Sequence, residues 1–315
     1  MRRLRVAFDA RAGADNRGIG RYARCLLSAL HELETGEVLE THRPRKVDVF
    51  HSPWIDGALL RSPCPMVVTL HDLVPLKRRG EYLRTGMRFR LRYLAVQRAV
   101  RIIVPTEVVA ADAHEKLHIA RERIVVVPEA AAESLSARSP AEVAAVRRRH
   151  GLPERYLLWV GGLEHPDPRK RVHALVRAER TLPLVLVGPT TSWAQQLPDV
   201  ILTGQVPDDE LAAIYTGAHA LISASDDEGF GLPPVEALAC GTPVVACDVP
   251  AVREVLGDRA TLVPPDDLAA LVAAGEAVRR PAPAPLPWTW SDAAARTWEI
   301  YADAAQRRGP AVPRR

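Results

Sequence analysis

Short apolar runs rich in valine, isoleucine and leucine recur along this chain. Each is bounded by glycine, proline or aspartate and followed by a longer stretch with helical spacing. That alternation constrains the fold more than any other feature. Strands buried on both faces read as continuous apolar runs, and strands separated by helices pair in parallel. The first half offers "LRVAFDA", "VDVFHS", "MVVTLHD", "RIIVPT" and "RIVVVPE" as strands, with "GRYARCLLSALHEL", "EYLRTGMRFRLRYLAVQRAV" and "EVVAADAHEKL" as helices. The second half restarts with "RYLLWVGG", "LPLVLVGP", "VILTGQV", "HALISAS", "TPVVACD" and "TLVPP". The expected fold class is α/β, built as two doubly wound, Rossmann-like parallel-sheet domains. A chain of 315 residues is long enough for two cores.

Residues 130–153 are rich in alanine, serine and arginine and read as a linker carrying the helix "SPAEVAAVRRRHG". The domains are therefore expected at 1–135 and 136–289. The segment "PAPAPLP", 281–287, has too much proline for a helix or a central strand and reads as an extended tether. It leads to a last amphipathic helix, "SDAAARTWEIYADAAQRR", within 290–308, with Ser291 or Asp292 as its N-cap. That helix is expected to cross back and complete the first domain. No fixed-period repeat is present; the halves share only the strand-helix rhythm.

The charge balance, 42 basic against 38 acidic residues, is too mild to imply nucleic-acid binding but leaves room for a small anionic ligand. Cys25, Cys64, Cys240 and Cys247 show no CxxC pairing and no metal-finger spacing, which reads as free thiols in a reducing compartment. The start, "MRRLRVAFDARAG", breaks to Asp9 and Arg11 before a signal-peptide core develops, and no stretch approaches a membrane span of about 20 apolar residues. A soluble cytoplasmic protein with no metal site is expected.

The most informative stretch is "DDEGFGLPPVEALACGTPVVACD". It reads as a loop, a helix with proline near its first turn and Gly241 as its natural C-terminal cap, then the next parallel strand. Glu228 and Glu236 stand eight positions apart across it, at the carboxyl edge of a sheet where such folds bind ligands. Gly229 and Gly231 let backbone approach a ligand, and the donating amides of residues 229–233 sit at a positive helix end that suits phosphate oxygens. Pro233 and Pro234 cannot donate and supply stiffness. Glu236, in the first turn, can accept from vicinal ribose hydroxyls, while Glu228 faces another part of the same ligand. The bland alternative is that Glu228 caps a turn and Glu236 favours the helix dipole. An anion between two carboxylates suggests a sugar nucleotide.

The stretch "EGFGLPPVEALACGTPVVACDVPAVREVLGD" resembles the signature of retaining glycosyltransferases of the GT-B fold, family 4, including their glutamates separated by seven residues. The resemblance implies that Glu228, Gly229 and Phe230 contact the donor sugar, that amides reaching Gly231 and Leu232 hold sugar and phosphate, and that Glu236 holds the ribose. In "GGLEHPDPRKRVHALVRA", Arg169 and Lys170 precede a helix and can neutralise a diphosphate without a metal; the alternative is a solvated basic helix start. Gly162 departs from the arginine of many members, and Lys170 inherits the phosphate role more directly than Arg169. "GQVPDDEL" resembles the family segment whose backbone, here near Gln205 and Val206, frames the base, with Asp208 as an N-cap.

In the first domain Gly18 and Gly20 can bring main-chain amides to the donor phosphate or the acceptor. The same letters, "GIGRYA", formally match a dinucleotide fingerprint, but the glycines start seven residues after Ala10 and no acidic residue ends a clear second strand. "VVTLHDLVPL" places His71 and Asp72 at a strand end; in related enzymes the matching histidine lies beside the donor sugar. Arginines within 81–101 admit contact with an anionic membrane surface. The alternative has Leu83, Met87, Leu91 and Leu94 forming a stripe that packs on the sheet. Family members carry further segments between the first helix and "VDVFHSP", whereas only "ETGEVLETHRPRK" intervenes here, so the acceptor-side domain is pared down.

The expected function is metal-independent, retaining transfer of a hexosyl group from a UDP-, GDP- or dTDP-sugar to an acceptor hydroxyl, with the active site between the domains. His71, Glu228 and Lys170 are the catalytic candidates. A catalytically silent nucleotide-binding subunit and a nicotinamide oxidoreductase are the alternatives. The base, sugar, acceptor and oligomeric state are not specified by the sequence.

Overall fold

The computed structural model describes residues 3–15, 17–78 and 86–307, with the side chains of 86–90 excepted. Two compact units are present. One holds the chain through Glu129 together with the segment from Trp288 onward, and the other is Ala130–Pro287.

The first unit is built on a parallel sheet of β1 (Arg5–Phe8), β2 (Glu37–Glu40), β3 (Val49–Ser52), β4 (Met66–Thr69), β5 (Arg101–Val104) and β6 (Ile124–Val126), in the order β2-β1-β3-β4-β5-β6. Its helices are α1 (Gly18–Glu32), α2 (Val74–Lys77), α3 (Gly86–Val96) and α4 (Glu107–Leu117). Because strand side chains alternate between faces, Ala7, Phe50, Met66, Val68, Ile102 and Val104 share one face and pack with Tyr93 and Val96 of α3 and Val109 and Ala113 of α4. The last helix of the chain, Trp290–Gln306, packs on α1, β3 and β4. Arg101, buried on β5, donates from Nε to Asp303 Oδ2 at 2.7 Å and from Nη1 to the Glu122 carbonyl at 2.7 Å, which fastens that helix to the sheet.

Several expectations are corrected here. The sequence reading has no strand between α1 and "VDVFHS", yet "EVLE" is β2, a polar edge strand that pairs along β1 and ends in the acidic Glu40. The chain then passes through residues 41–48 straight to β3. The 81–101 helix ends at Val96, and Arg101 belongs to β5. Its apolar stripe does not pack on the sheet: Leu91 and Leu94 are 45% and 48% exposed, while Tyr93 and Val96 are buried. At about 100° per residue, Tyr93 lies about 200° around from Leu91, so burying one pair turns the other outward. Leu83 and the Met87 side chain lie outside the described residues.

The second unit carries β7 (Leu157–Val160), β8 (Leu184–Val187), β9 (Val200–Gly204), β10 (Ala220–Ser223), β11 (Val244–Cys247) and β12 (Thr261–Val263), all parallel, in the order β12-β11-β10-β7-β8-β9. Its helices are α5 (Pro140–His150), α6 (Val172–Arg177), α7 (Asp208–Gly217), α8 (Leu232–Ala239), α9 (Pro250–Leu256) and α10 (Leu268–Ala277); the chain's last helix is then α11. Counted from its own first strand this is the 3-2-1-4-5-6 order of dinucleotide-binding folds. The first unit, counted likewise, is 2-1-3-4-5-6: it also has six strands, with two on one side of the reversal and four on the other.

Two caps also differ from expectation. The N-cap of α7 is Pro207, and Asp208 is its first helical residue, accepting from Ser134 Oγ at 2.9 Å. The N-cap of α11 is Thr289, in a reciprocal capping box with Asp292 at the third position. Among the described residues no disulfide links the four cysteines and no helix is long and apolar enough to cross a membrane.

Candidate functional site

In each sheet the strand order reverses once, and the loops leaving the carboxyl ends on either side of that reversal form a ligand crevice. In the second unit the reversal lies between β7 and β10. The loop after β7 carries Arg169 and Lys170, and the loop after β10 carries Glu228. Their backbones are joined by Asp226 N donating to Arg169 O at 3.0 Å. Asp167 starts a short 3-10 turn by accepting from Arg169 N at 3.2 Å and holds the guanidinium Nε at 3.0 Å. The guanidinium is thereby aimed at Glu228: Arg169 Nη1 lies 3.4 Å from Oε2, and Lys170 Nζ lies 3.8 Å from Oε1. Lys170 Nζ also stands 5.9 Å from the centre of the Trp159 ring.

Burial alone would raise the Glu228 carboxyl, but the charges of Arg169 and Lys170 and a hydrogen bond with Ser225 bring it below the usual carboxylate range. The side chain is only 13% exposed. Gly231, at φ +94°, is the N-cap of α8, a conformation that disfavours any side chain, and no side chain caps the helix there. Pro233 and Pro234 lack amide hydrogens, so Leu232 carries the one N–H of the first three helical residues. Phe230 and Leu232 are buried, which leaves their backbone as what they can offer a ligand.

Glu236 is corrected in position. It is the fifth residue of α8, in the second turn, buried, with Oε2 accepting from Tyr215 Oη at 2.8 Å. Tyr215, on α7, was not picked out in the sequence. Gln205 and Val206 follow the edge strand β9, where Gly204 turns at φ +72°, and Gln205 is exposed.

In the first unit the reversal lies between β1 and β3. Asp9, fully buried after β1, binds the Arg11 guanidinium at 2.8 and 2.7 Å and accepts from Trp54 Nε1 at 3.4 Å. His71, after β4, has Nδ1 3.0 Å from Glu129 Oε1 and Nε2 2.9 Å from the Pro53 carbonyl oxygen. The Tyr22 ring meets the His71 ring edge-on at 4.6 Å. Asp72 accepts from Val74 N at 3.1 Å. Gly18 is exposed at the start of α1, where no side chain caps the helix. Gly20 has a packing reason instead: a Cβ there would lie 1.7 Å from the Asp15 carbonyl oxygen. Sequence reasoning missed Glu129, which follows β6 just as His71 follows β4; the same strand-end criterion finds it. Among the described residues no three His, Cys, Asp or Glu side chains gather closely enough to hold a metal ion.

Residues 14–134 match the family described as Glycosyltransferase Family 4, and residues 154–278 match the one described as Glycosyl transferases group 1. A D-inositol 3-phosphate glycosyltransferase of Thermobispora bispora is 31% identical over 86% of this chain and 74% of its own length. The chain belongs to glycosyltransferase family 4. This glycosyltransferase is also 32% identical to the O-antigen chain mannosyltransferase B of Escherichia coli, over 48% of the chain and 44% of that protein. The Anabaena protein HepE, crystallised with UDP-glucose, superposes with a TM-score of 0.67 at 16% identity, covering 96% of this chain and 97% of that one. Its likeness places the glycosyltransferase in the GT-B architecture of two doubly wound units. Family membership displaces the dinucleotide reading of "GIGRYA".

Proposed function

We propose that this glycosyltransferase is retaining and metal-independent, moving a sugar from a nucleoside-diphosphate sugar to an acceptor hydroxyl. The observation that carries the reading is the convergence of Arg169 and Lys170 on Glu228, beside the side-chain-uncapped N-terminus of α8. Asp167, Glu228, Arg169 and Lys170 sum to zero formal charge, so the group is poised for exchange. An incoming diphosphate takes over the two cations, and the carboxylate they release becomes free to accept from sugar hydroxyls. The same cations and the amides of residues 229–232 then stabilise the charge of the departing diphosphate, the largest electrostatic demand of the step. Gly229 and Phe230 line the sugar through backbone.

Glu236, held by Tyr215, is assigned to the ribose, and the backbone of Gln205 and Val206 to the base. Gly18 offers an amide to phosphate or acceptor. His71 and the first unit's strand ends are assigned to the sugar and acceptor side. Retention follows if the leaving phosphate accepts the acceptor proton on the face it departs from. The relatives' names span an inositol phosphate acceptor, mannosyl transfer and a UDP-glucose complex, which supports a UDP-, GDP- or dTDP-hexose donor as a class. Four cysteines with no disulfide among them support a cytoplasmic, reducing location. Exposed Leu91 and Leu94 on α3 support weak contact with an anionic membrane surface.

The test is a melting-shift screen with UDP, GDP, dTDP, ADP and their sugars. Turnover with an acceptor panel, with and without a chelator, and the anomeric configuration of the product by NMR follow. Stabilisation by NADH but by no nucleoside diphosphate overturns the transferase reading. Inversion, or activity lost to chelator and restored by a divalent cation, overturns the finer terms.

A further inference from the structure

Two of the first unit's histidines stand in opposite chemical situations. His51, on β3, is fully buried, and its ring nitrogens meet only hydroxyls: Nδ1 lies 2.5 Å from Tyr301 Oη and Nε2 2.9 Å from Thr69 Oγ1. A hydroxyl donates or accepts as needed, so a neutral imidazole is satisfied on both sides. Burial pushes His51 down to about 3.

His71 faces a carbonyl oxygen at Nε2 and a carboxylate at Nδ1. A carbonyl oxygen only accepts, so Nε2 carries hydrogen. An ionised carboxylate also only accepts, so Nδ1 carries hydrogen as well. Both N–H groups point into the protein, and the ring keeps neither a free N–H nor a lone pair for a ligand. The pair is enclosed, with His71 15% and Glu129 5% exposed.

We propose that Glu129 is a positioning residue that holds His71 as a standing imidazolium, so that His71 acts on bound substrate through a fixed ring orientation and shape and not through proton transfer. The proposal deepens, and as a statement about substrate rests on, the glycosyltransferase reading. The groups that face the ring are Glu129 from the segment after β6, Pro53 O from the segment after β3, the neighbouring Asp72, Tyr22 from α1, and His51 beyond Thr69. Burial opposes charge on His71, but the Glu129 hydrogen bond and charge, then Pro53 and Asp72, outweigh it, and the ring's pKa is raised. Tyr22, pushed far up by burial, stays neutral. In the neutral pH range the charged neighbours are therefore the carboxylates. The His71 imidazolium and the Glu129 carboxylate together carry no net charge, so the ring offers a bound ligand a fixed orientation and a constant protonation state, which a proton-shuttling histidine would not.

The test is nitrogen-resolved NMR of the histidine side chains in the whole protein across the neutral and mildly basic range, with His71 assigned by its loss in His71→Gln. We expect both His71 nitrogens predominantly protonated at about pH 6.5, the ordinary histidine value, where an unperturbed imidazole is half charged. In Glu129→Gln the titration step should fall by about one pH unit or more, a tenfold loss of proton affinity, and kcat/KM should gain a limb that declines as pH rises through the new step. Glu129→Asp, which keeps the charge, should recover part of both. A neutral His71 ring in the wild type at that pH overturns the proposal, as does an unmoved step in Glu129→Gln. If Glu129→Gln does not fold, the wild-type spectrum alone decides. The spectrum needs no turnover, so it separates failure of this proposal from failure of the transferase reading.

Discussion

Charge exchange at the second unit's crevice makes Glu228→Gln the most discriminating substitution. Glu228 lies 3.4 Å from Arg169 Nη1 and 3.8 Å from Lys170 Nζ. At an effective dielectric of about 20 these contacts are worth about 5 and about 4 kcal/mol before desolvation, which returns most of that sum. A diphosphate that recruits the same cations must draw them away from Glu228 and suffers its repulsion at similar range. Glutamine removes both effects while keeping the shape. We expect a nucleoside diphosphate to bind tighter to the variant by about 1 kcal/mol, roughly fivefold. Transfer should fall by about a hundredfold or more, because the sugar loses its carboxylate partner. Calorimetric titration with UDP and GDP and initial-rate kinetics give the two numbers. Nucleotide binding weakened threefold or more at unchanged melting temperature would falsify the exchange argument. The pH dependence follows in sign. A carboxyl held below its ordinary value stabilises the fold above about pH 4.5, and that stabilisation is lost as pH falls through the depressed value. The melting-temperature difference between wild type and Glu228→Gln should therefore shrink in acid.

Tyr215→Phe removes a buried hydrogen bond to the Glu236 carboxylate, a loss of about 1.5–3 kcal/mol in stability; if Glu236 holds the ribose, affinity for UDP should fall while that for inorganic pyrophosphate stays. Gly20→Ala places a Cβ 1.7 Å from the Asp15 carbonyl oxygen and should cost about 2 kcal/mol or more by denaturant melt; an unchanged midpoint refutes the packing role. Leu91→Ser combined with Leu94→Ser should abolish co-sedimentation with anionic vesicles without changing transfer to a soluble acceptor, and equal sedimentation of wild type and variant removes the membrane contact.

What the sequence made legible was what periodicity encodes. The apolar strands stand where their runs predict, because a strand buried on both faces has no other composition available. β2 escaped because "EVLE" is a polar edge strand whose partner, β1, supplies the pairing. Leu91 and Leu94 were misread because four apolar residues at helical spacing fit two faces, and which face is buried is decided by Tyr93 and Val96 against the sheet. Thr289 takes the capping role from Ser291 because its own partner, Asp292, stands three residues on. In the candidate site, Glu228, Arg169 and Lys170 were readable as types at strand ends. Their mutual contact was not, since it depends on the reversal of strand order that sets the loop after β7 beside the loop after β10.

The two histidines show where sequence reading stops for a physical reason. "VFHS" and "TLHD" place His51 and His71 in near-equivalent settings, each at or just beyond the end of a buried strand. What separates them arrives from elsewhere in the chain. Tyr301, 250 positions away, brings a hydroxyl to one ring, and Glu129, 58 positions away, brings a carboxylate to the other. A hydroxyl leaves the proton count of its partner open, and burial then settles it at neutral. A carboxylate paired with a backbone carbonyl leaves room only for the charged ring. Protonation state is thus set by strand register and by the docking of α11 and the post-β6 segment. A residue-by-residue search for catalytic histidines would rank the two alike, although one is a neutral strut and the other is held as a cation.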